Sequence, residues 1–212
     1  MIIVNTKNYK TGDDLLKLCK LIEQYDVHTI VAVPATDIYR ISAKTTLNVY
    51  AQHCNSVKDN KSTGHVSASS IRAVGGSGTL INHSEKRIPL NIIKEVVEQC
   101  KQAHIVSIVC AKDLAEVDKI AQFKPSAIAF EDPQLISTGK SITTYKTKDV
   151  EKFVKMLKGK PILPICGAGI SSAEDVKTAY KLGCEGVLIA SAIANNKHPQ
   201  ELLNNLKNIT PN

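Results

Sequence analysis

The chain has 212 residues and a formal net charge of +7; 43% of its residues are hydrophobic, 22% charged and 4% aromatic, and there is no tryptophan. That balance is too apolar for a disordered chain, and no apolar run approaches the ~18 residues that a membrane span needs. Scarce aromatics argue against a base-stacking platform, and lysines scattered singly, as at Lys146, Lys148, Lys152, Lys155, Lys158 and Lys160, read as helix surface rather than a nucleic-acid footprint. A small anionic substrate accounts for the same positive excess. The apolar run within Met1–Asn5 is too short for a signal peptide, so a soluble, unexported, cytoplasmic protein is expected, with no membrane partner. Cys19, Cys54, Cys100, Cys110, Cys166 and Cys184 show neither C-x-x-C nor any other metal-ligand spacing, so reduced thiols and no metal are expected.

In chain order, eight short aliphatic runs recur: Ile2–Val4, Thr29–Val33, Val49–Ala51, Thr79–Ile81, Ile105–Val109, Ala127–Phe130, Ile162–Ile165 and Gly186–Ile189. None alternates apolar with polar residues, the pattern of strands buried on both faces of a parallel sheet. Helical spacing lies between them, in Leu15, Leu18, Cys19 and Ile22, in Ile93, Val96, Val97 and Cys100, and in Val150, Phe153, Val154 and Leu157. A helix from Asp175 to Leu182 would stop at Gly183, and Pro199 stands where another first turn would begin. With no linker-like stretch, one domain over residues 1–212 is expected: a (β/α)8 TIM barrel of eight parallel strands with outer helices, or alternatively a doubly wound open sheet.

A barrel gathers at one face the residues that follow its strands. Those residues are Asn5 and Lys7 after the first strand, Asn82, His83, Ser84 and Glu85 after the fourth, and Glu131 after the sixth. Gly167, Ala168 and Gly169 follow the seventh strand, and Ala190 and Ser191 the eighth. Taken singly, His83 can be a structural hydrogen-bonder, Lys7 a solvated charge and Glu131 a first-turn acid; their convergence on one face is harder to dismiss. Gly167–Ser172 lacks the third glycine of a dinucleotide fingerprint. It lies instead where barrels place a phosphate site, with a following short helix turning its positive end to the anion.

At this point the motifs as a set resemble one family. Asn5-Thr6-Lys7, Ala51-Gln52-His53, Thr63-Gly64-His65, Asn82–Arg87, Phe130–Gly139, Cys166–Ile170 and Ala190-Ser191 are similar, in order and over nearly the whole chain, to the triosephosphate isomerase family in the short form of its archaeal branch. The resemblance implies interconversion of dihydroxyacetone phosphate and D-glyceraldehyde 3-phosphate through an enediolate, a step of glycolysis and gluconeogenesis, without metal or organic cofactor. It implies Glu131 as base, neutral His83 as electrophile and Lys7 as electrostatic stabiliser; a carboxylate base paired with a neutral histidine is this family's known case of pKa tuning. It further implies substrate contacts at Asn5, Lys7, Ile136, Gly169, Ala190 and Ser191, and a lid over Asp132–Gly139 that shields the intermediate from water. Thr63 lies in the loop that, in this family, enters a neighbouring subunit, so a homo-oligomer, dimer or tetramer, is expected.

Two positions depart from the family pattern. Asp132 follows the base directly where a proline is usual, with Pro133 next; it perturbs Glu131 if both carboxylates face inward and hardly at all if it turns outward. Ser137 stands where the lid usually carries a glycine, and so keeps the N–H without the backbone freedom. The runner-up is another phosphate-binding (β/α)8 sugar-phosphate isomerase or epimerase, or, from a different class, a catalytically silent phosphate-binding barrel.

Overall fold

A computed structural model describes residues 1–57, 61–136, 138, 140–207 and 209. Eight strands, β1 (Ile2–Asn5), β2 (Ile30–Val33), β3 (Asn48–Ala51), β4 (Gly78–Ile81), β5 (Val106–Ala111), β6 (Ala127–Phe130), β7 (Leu163–Cys166) and β8 (Gly186–Ile189), close into a barrel in sequence order. All neighbours pair parallel, and β1 returns to β8 through Ile3↔Leu188. Closure excludes the open doubly wound sheet. Strand ends shift from the expected runs by one or two residues, most at β5, which continues to Ala111 because it pairs with β6 as far as Phe130.

Among the described residues ten helices surround the barrel: α1 (Gly12–Tyr25), α2 (Ile38–Ser42), α3 (Ala68–Ala73), α4 (Leu90–Gln102), α5 (Leu114–Ala121), α6 (Ile142–Tyr145), α7 (Thr147–Leu157), α8 (Ala173–Lys181), α9 (Ser191–Ala194) and α10 (Gln200–Leu206). The expected apolar stripes are the faces that pack inward: Leu15, Leu18, Cys19 and Ile22 on α1, and Val150, Phe153 and Leu157 on α7 are buried. The six lysines of the α7 region are all exposed. Among the described residues no helix is long and apolar enough to cross a membrane.

The strands carry two cores. Ile2, Val4, Val31, Val33, Ile128 and Phe130 face the helices, whereas Ile3, Ala32, Tyr50, Leu80, Cys110, Ala129, Ile165 and Leu188 fill the interior. Gly78 is required inside the barrel by space: a Cβ there would lie 2.6 Å from the Tyr50 ring. Pro164 is tolerated within β7 because the ladder to β8 begins one residue later, at Ile165↔Gly186.

Strand parity then positions the site. Side chains alternate, so the residue two beyond an inward one points inward again at the barrel mouth. Ile3 is thus followed inward by Asn5, Ala129 by Glu131, Ile165 by Gly167 and Leu188 by Ala190. Phe130, between Ala129 and Glu131, faces outward and stacks on Phe153 of α7 at 5.3 Å between ring centroids. Burying a ring of that size stabilises by roughly 1.5–3 kcal/mol, which anchors the strand end carrying Glu131.

Candidate active site

Asn5 ends β1 almost fully buried, and its Oδ1 accepts the backbone N–H of Lys7 at 3.0 Å. Lys7 adopts a left-handed backbone, φ 45°, which costs a non-glycine residue about 1–3 kcal/mol and must be held by its surroundings. Gln52 supplies one restraint by donating from Nε2 to the Lys7 carbonyl at 2.8 Å. Lys7 belongs to none of the ion pairs among the described residues, so its ammonium remains available to an anion.

His83 is 7% exposed, and its Nδ1 lies 3.2 Å from the backbone N–H of Glu85. A backbone N–H can only donate, so Nδ1 is an acceptor there and the single proton of the ring sits on Nε2. An imidazolium would oppose two donors across that contact. The local turn therefore holds the neutral tautomer and leaves Nε2–H as the free donor.

Glu131 is 6% exposed, and its Oε2 is buried with no hydrogen-bond partner among the described residues. An unsatisfied buried oxygen costs on the order of 1–3 kcal/mol, a penalty that marks groups kept for chemistry. Gly167 lies against it, since a Cβ at that position would come within 2.6 Å of Oε1. Beside it the Cys110 thiol is pushed up mainly by burial, next by the charge of Glu131 and then by a hydrogen bond to the Glu131 carboxylate, which keeps the sulfur a neutral neighbour.

All eight residues expected at the site, Asn5, Lys7, His83, Glu131, Ile136, Gly169, Ala190 and Ser191, line one solvent-open cavity of about 490 Å³. Ala168, Ile170 and Ser171 of the Gly167–Ser172 turn line it as well, and sequence reasoning missed only Leu188, for which the inward parity of β8 was the available signal. The expectation of a helix turned to the anion after the glycine-rich turn needs correction. At α8, the Ser172 capping box directs Asp175 Oδ2 to the N–H groups of Ser171 and Ser172, so its first turn is already occupied by a carboxylate. No side chain caps α9, and that terminus, beginning at Ala190 and Ser191, opens on the cavity.

The residues that follow the Asp132–Gly139 segment are tied to the same turn. Ile142 N–H donates to the Ala168 carbonyl at 3.1 Å, and a Cβ on Gly169, φ 71°, would lie 2.0 Å from the Lys140 carbonyl oxygen. Asp132 turns outward: one carboxylate oxygen accepts Gln134 N–H and the other pairs with Lys146 at 3.6 Å. Ser137 and Gly139 lie outside the described residues.

A second cavity, of about 1100 Å³, adjoins the first through Asn5, Lys7 and His83 and continues past Gln52, His53, Glu85 and Lys86. His53 there accepts from Asn55 at Nε2, while its buried Nδ1 has no partner among the described residues. Burial, and then the Lys86 charge, lower its pKa from the ordinary 6.5. As pH falls through 6.5 the unfolded chain therefore binds more protons than the folded one, and stability declines until the folded ring also titrates. His53→Gln is expected to flatten the drop in denaturant midpoint between about pH 7.5 and about pH 5.5, at fixed protein concentration. Equal drops in both proteins would contradict it.

Comparison with known proteins agrees with this geometry. The family model described as triosephosphate isomerase matches residues 1–206. The chain belongs to the triosephosphate isomerase family. Similar relatives are the triosephosphate isomerases of Methanobrevibacter smithii, 39% identical over 96% of this chain and 95% of that protein, and of Methanocaldococcus jannaschii, 36% identical over 97% and 98%. The crystal structure of triosephosphate isomerase from Bartonella henselae shares the fold with a TM-score of 0.74, at 19% identity over 96% of each chain. Membership in the triosephosphate isomerase family makes the chain an isomerase.

Proposed function

We propose that this chain interconverts dihydroxyacetone phosphate and D-glyceraldehyde 3-phosphate, as in glycolysis and gluconeogenesis, with Glu131 as the base. The observation that carries this reading is the convergence of a buried, unpartnered carboxylate oxygen, a histidine held as an Nε2–H donor and an unpaired ammonium on one small cavity. The substrate phosphate lies against Gly169, Ala190 and Ser191, where the uncapped α9 terminus favours an anion. That pose brings the carbonyl end toward Asn5, Lys7 and His83.

Glu131 removes a proton from the carbon beside the carbonyl and returns it to the neighbouring carbon, so one carboxylate serves both transfers. His83 donates Nε2–H to the oxygen on which charge develops and passes protons between the two oxygens of the enediolate. Lys7 stabilises the negative charge of the enediolate and of the phosphate, and Asn5 holds the Lys7 backbone in place. Ile136 in the lid segment covers the intermediate and excludes the water that would let it expel phosphate.

The chain works as one domain over residues 1–212 and as a homo-oligomer, dimer or tetramer. Supporting assembly, the loop carrying exposed Thr63 is pinned at its neck, where Asn55 exchanges two hydrogen bonds with Val66 and Gln99 of α4 brackets the Val57 backbone. The second cavity beside Lys7 offers space for such a loop from another copy. A cytoplasmic location accords with six free cysteines.

A coupled assay of glyceraldehyde 3-phosphate isomerisation, with a native-mass measurement on the same preparation, tests this reading. Turnover by a dimer or tetramer is expected. No turnover, or turnover only of a pentose phosphate, would contradict the activity, and a single-subunit mass would contradict the assembly.

A further inference from the structure

His83 lies in a loop between β4 and α4 that is closed on itself. Asn82, directly before it, is fully buried and left-handed at φ 63°, a conformation asparagine tolerates better than most residues. Its Oδ1 accepts Ile88 N–H at 3.0 Å, which ties the start of the loop to its end; its Nδ2 donates to the Cys110 carbonyl of β5 at 3.0 Å. The Asn82 carbonyl, part of the peptide that leads into His83, accepts from Arg87 Nη1 at 3.1 Å. The other terminal nitrogen of Arg87 pairs with Glu116 Oε1 on α5.

Glu116 is itself fixed. Its Oε2 accepts Lys112 N–H at 2.8 Å, its backbone N–H donates to the N-cap Asp113, and its side chain is only 13% exposed. A rigid carboxylate on α5 thus orients a planar guanidinium, which orients the peptide carbonyl in front of the electrophile. The same loop carries the Glu85 N–H that selects the His83 tautomer.

Resting on the role proposed above for His83, we propose that Glu116 is a positioning residue for it, acting through Arg87 and Asn82. Slack in this chain loosens the Glu85 contact at 3.2 Å and lets the imidazole tilt or change tautomer, which lowers turnover without weakening phosphate binding. Displacements near 1 Å at a reacting group cost about 10²-fold in rate, which sets the scale.

The test compares kcat, KM and the 15N imidazole signals of His83 in wild type, Glu116→Gln, Arg87→Met, Arg87→Lys and the Glu116→Gln/Arg87→Met double variant. The expected result is a kcat about 10-fold lower in Glu116→Gln and about 10²-fold lower in Arg87→Met, with KM within twofold. Arg87→Lys restores little, because an ammonium lacks the planar fork that spans both acceptors, and the double variant is no worse than Arg87→Met alone. The 15N signals should lose the distinct pattern of one protonated and one acceptor nitrogen. If Arg87→Met does not fold, the milder Glu116→Gln carries the test by itself. Unchanged kcat and unchanged 15N signals in folded Glu116→Gln overturn the proposal. His83→Gln separates the two levels: if that variant turns over like wild type, the role of His83 fails; if it is impaired while Glu116→Gln is not, only the positioning role fails.

Discussion

Glu131→Gln is expected to lower kcat by about 10³–10⁴-fold while leaving the affinity for inorganic phosphate within a few-fold, because a general base typically contributes 10²–10⁴-fold and in the proposed reaction one group performs both proton transfers. Glutamine preserves the size of the side chain, which matters in a slot where Gly167 leaves no room for even a Cβ. The variant therefore removes proton acceptance and little else. Steady-state kcat in the coupled assay reads the effect directly; turnover within tenfold of wild type would mean another group takes the proton. Asp132, the nearest carboxylate in sequence, is a poor substitute because both its oxygens are engaged outside the cavity, by Gln134 and Lys146.

Lys7→Met is expected to lower kcat/KM by about 10³-fold or more, with the loss divided between kcat and KM, since removing one preorganised donor from a developing oxyanion costs about 10²–10³-fold and the proposed reaction also sets Lys7 against the phosphate. Methionine keeps the stem and discards only the charge, so the left-handed backbone at φ 45° and the Gln52 bond to its carbonyl are retained. Separate measurement of kcat and KM decides the role. A rise in KM with kcat unchanged would reduce Lys7 to a binding residue and contradict its part in stabilising the intermediate.

Parity explains why so much of this site was legible in the sequence. Eight short, mainly apolar runs that do not alternate announce a parallel sheet, and once Ile3, Ala129 and Leu188 are taken as inward, Asn5, Glu131 and Ala190 follow at i+2. What parity cannot supply are the partners from elsewhere in the chain. The outward turn of Asp132 depends on Lys146, well beyond the Asp132–Gly139 segment, and the tether of the His83 loop depends on Glu116, on α5. The glycine-rich turn was located correctly, but the helix that follows it was credited with an anion site that its own Asp175 already fills; the open terminus belongs to α9. The split of the last strand–helix unit into α9 and α10 was likewise invisible to apolar spacing, because a helix of four residues has too few turns to show a period.

The most direct test of the account is isomerisation of dihydroxyacetone phosphate in D2O, followed by NMR. If Glu131 takes a proton from one carbon and returns it to the next through an enediolate, exchange of its carboxyl proton with solvent before the return places deuterium at carbon 2 of part of the glyceraldehyde 3-phosphate formed, and Glu131→Gln abolishes that incorporation along with turnover. Turnover, or incorporation of deuterium, in Glu131→Gln at the wild-type rate would contradict it.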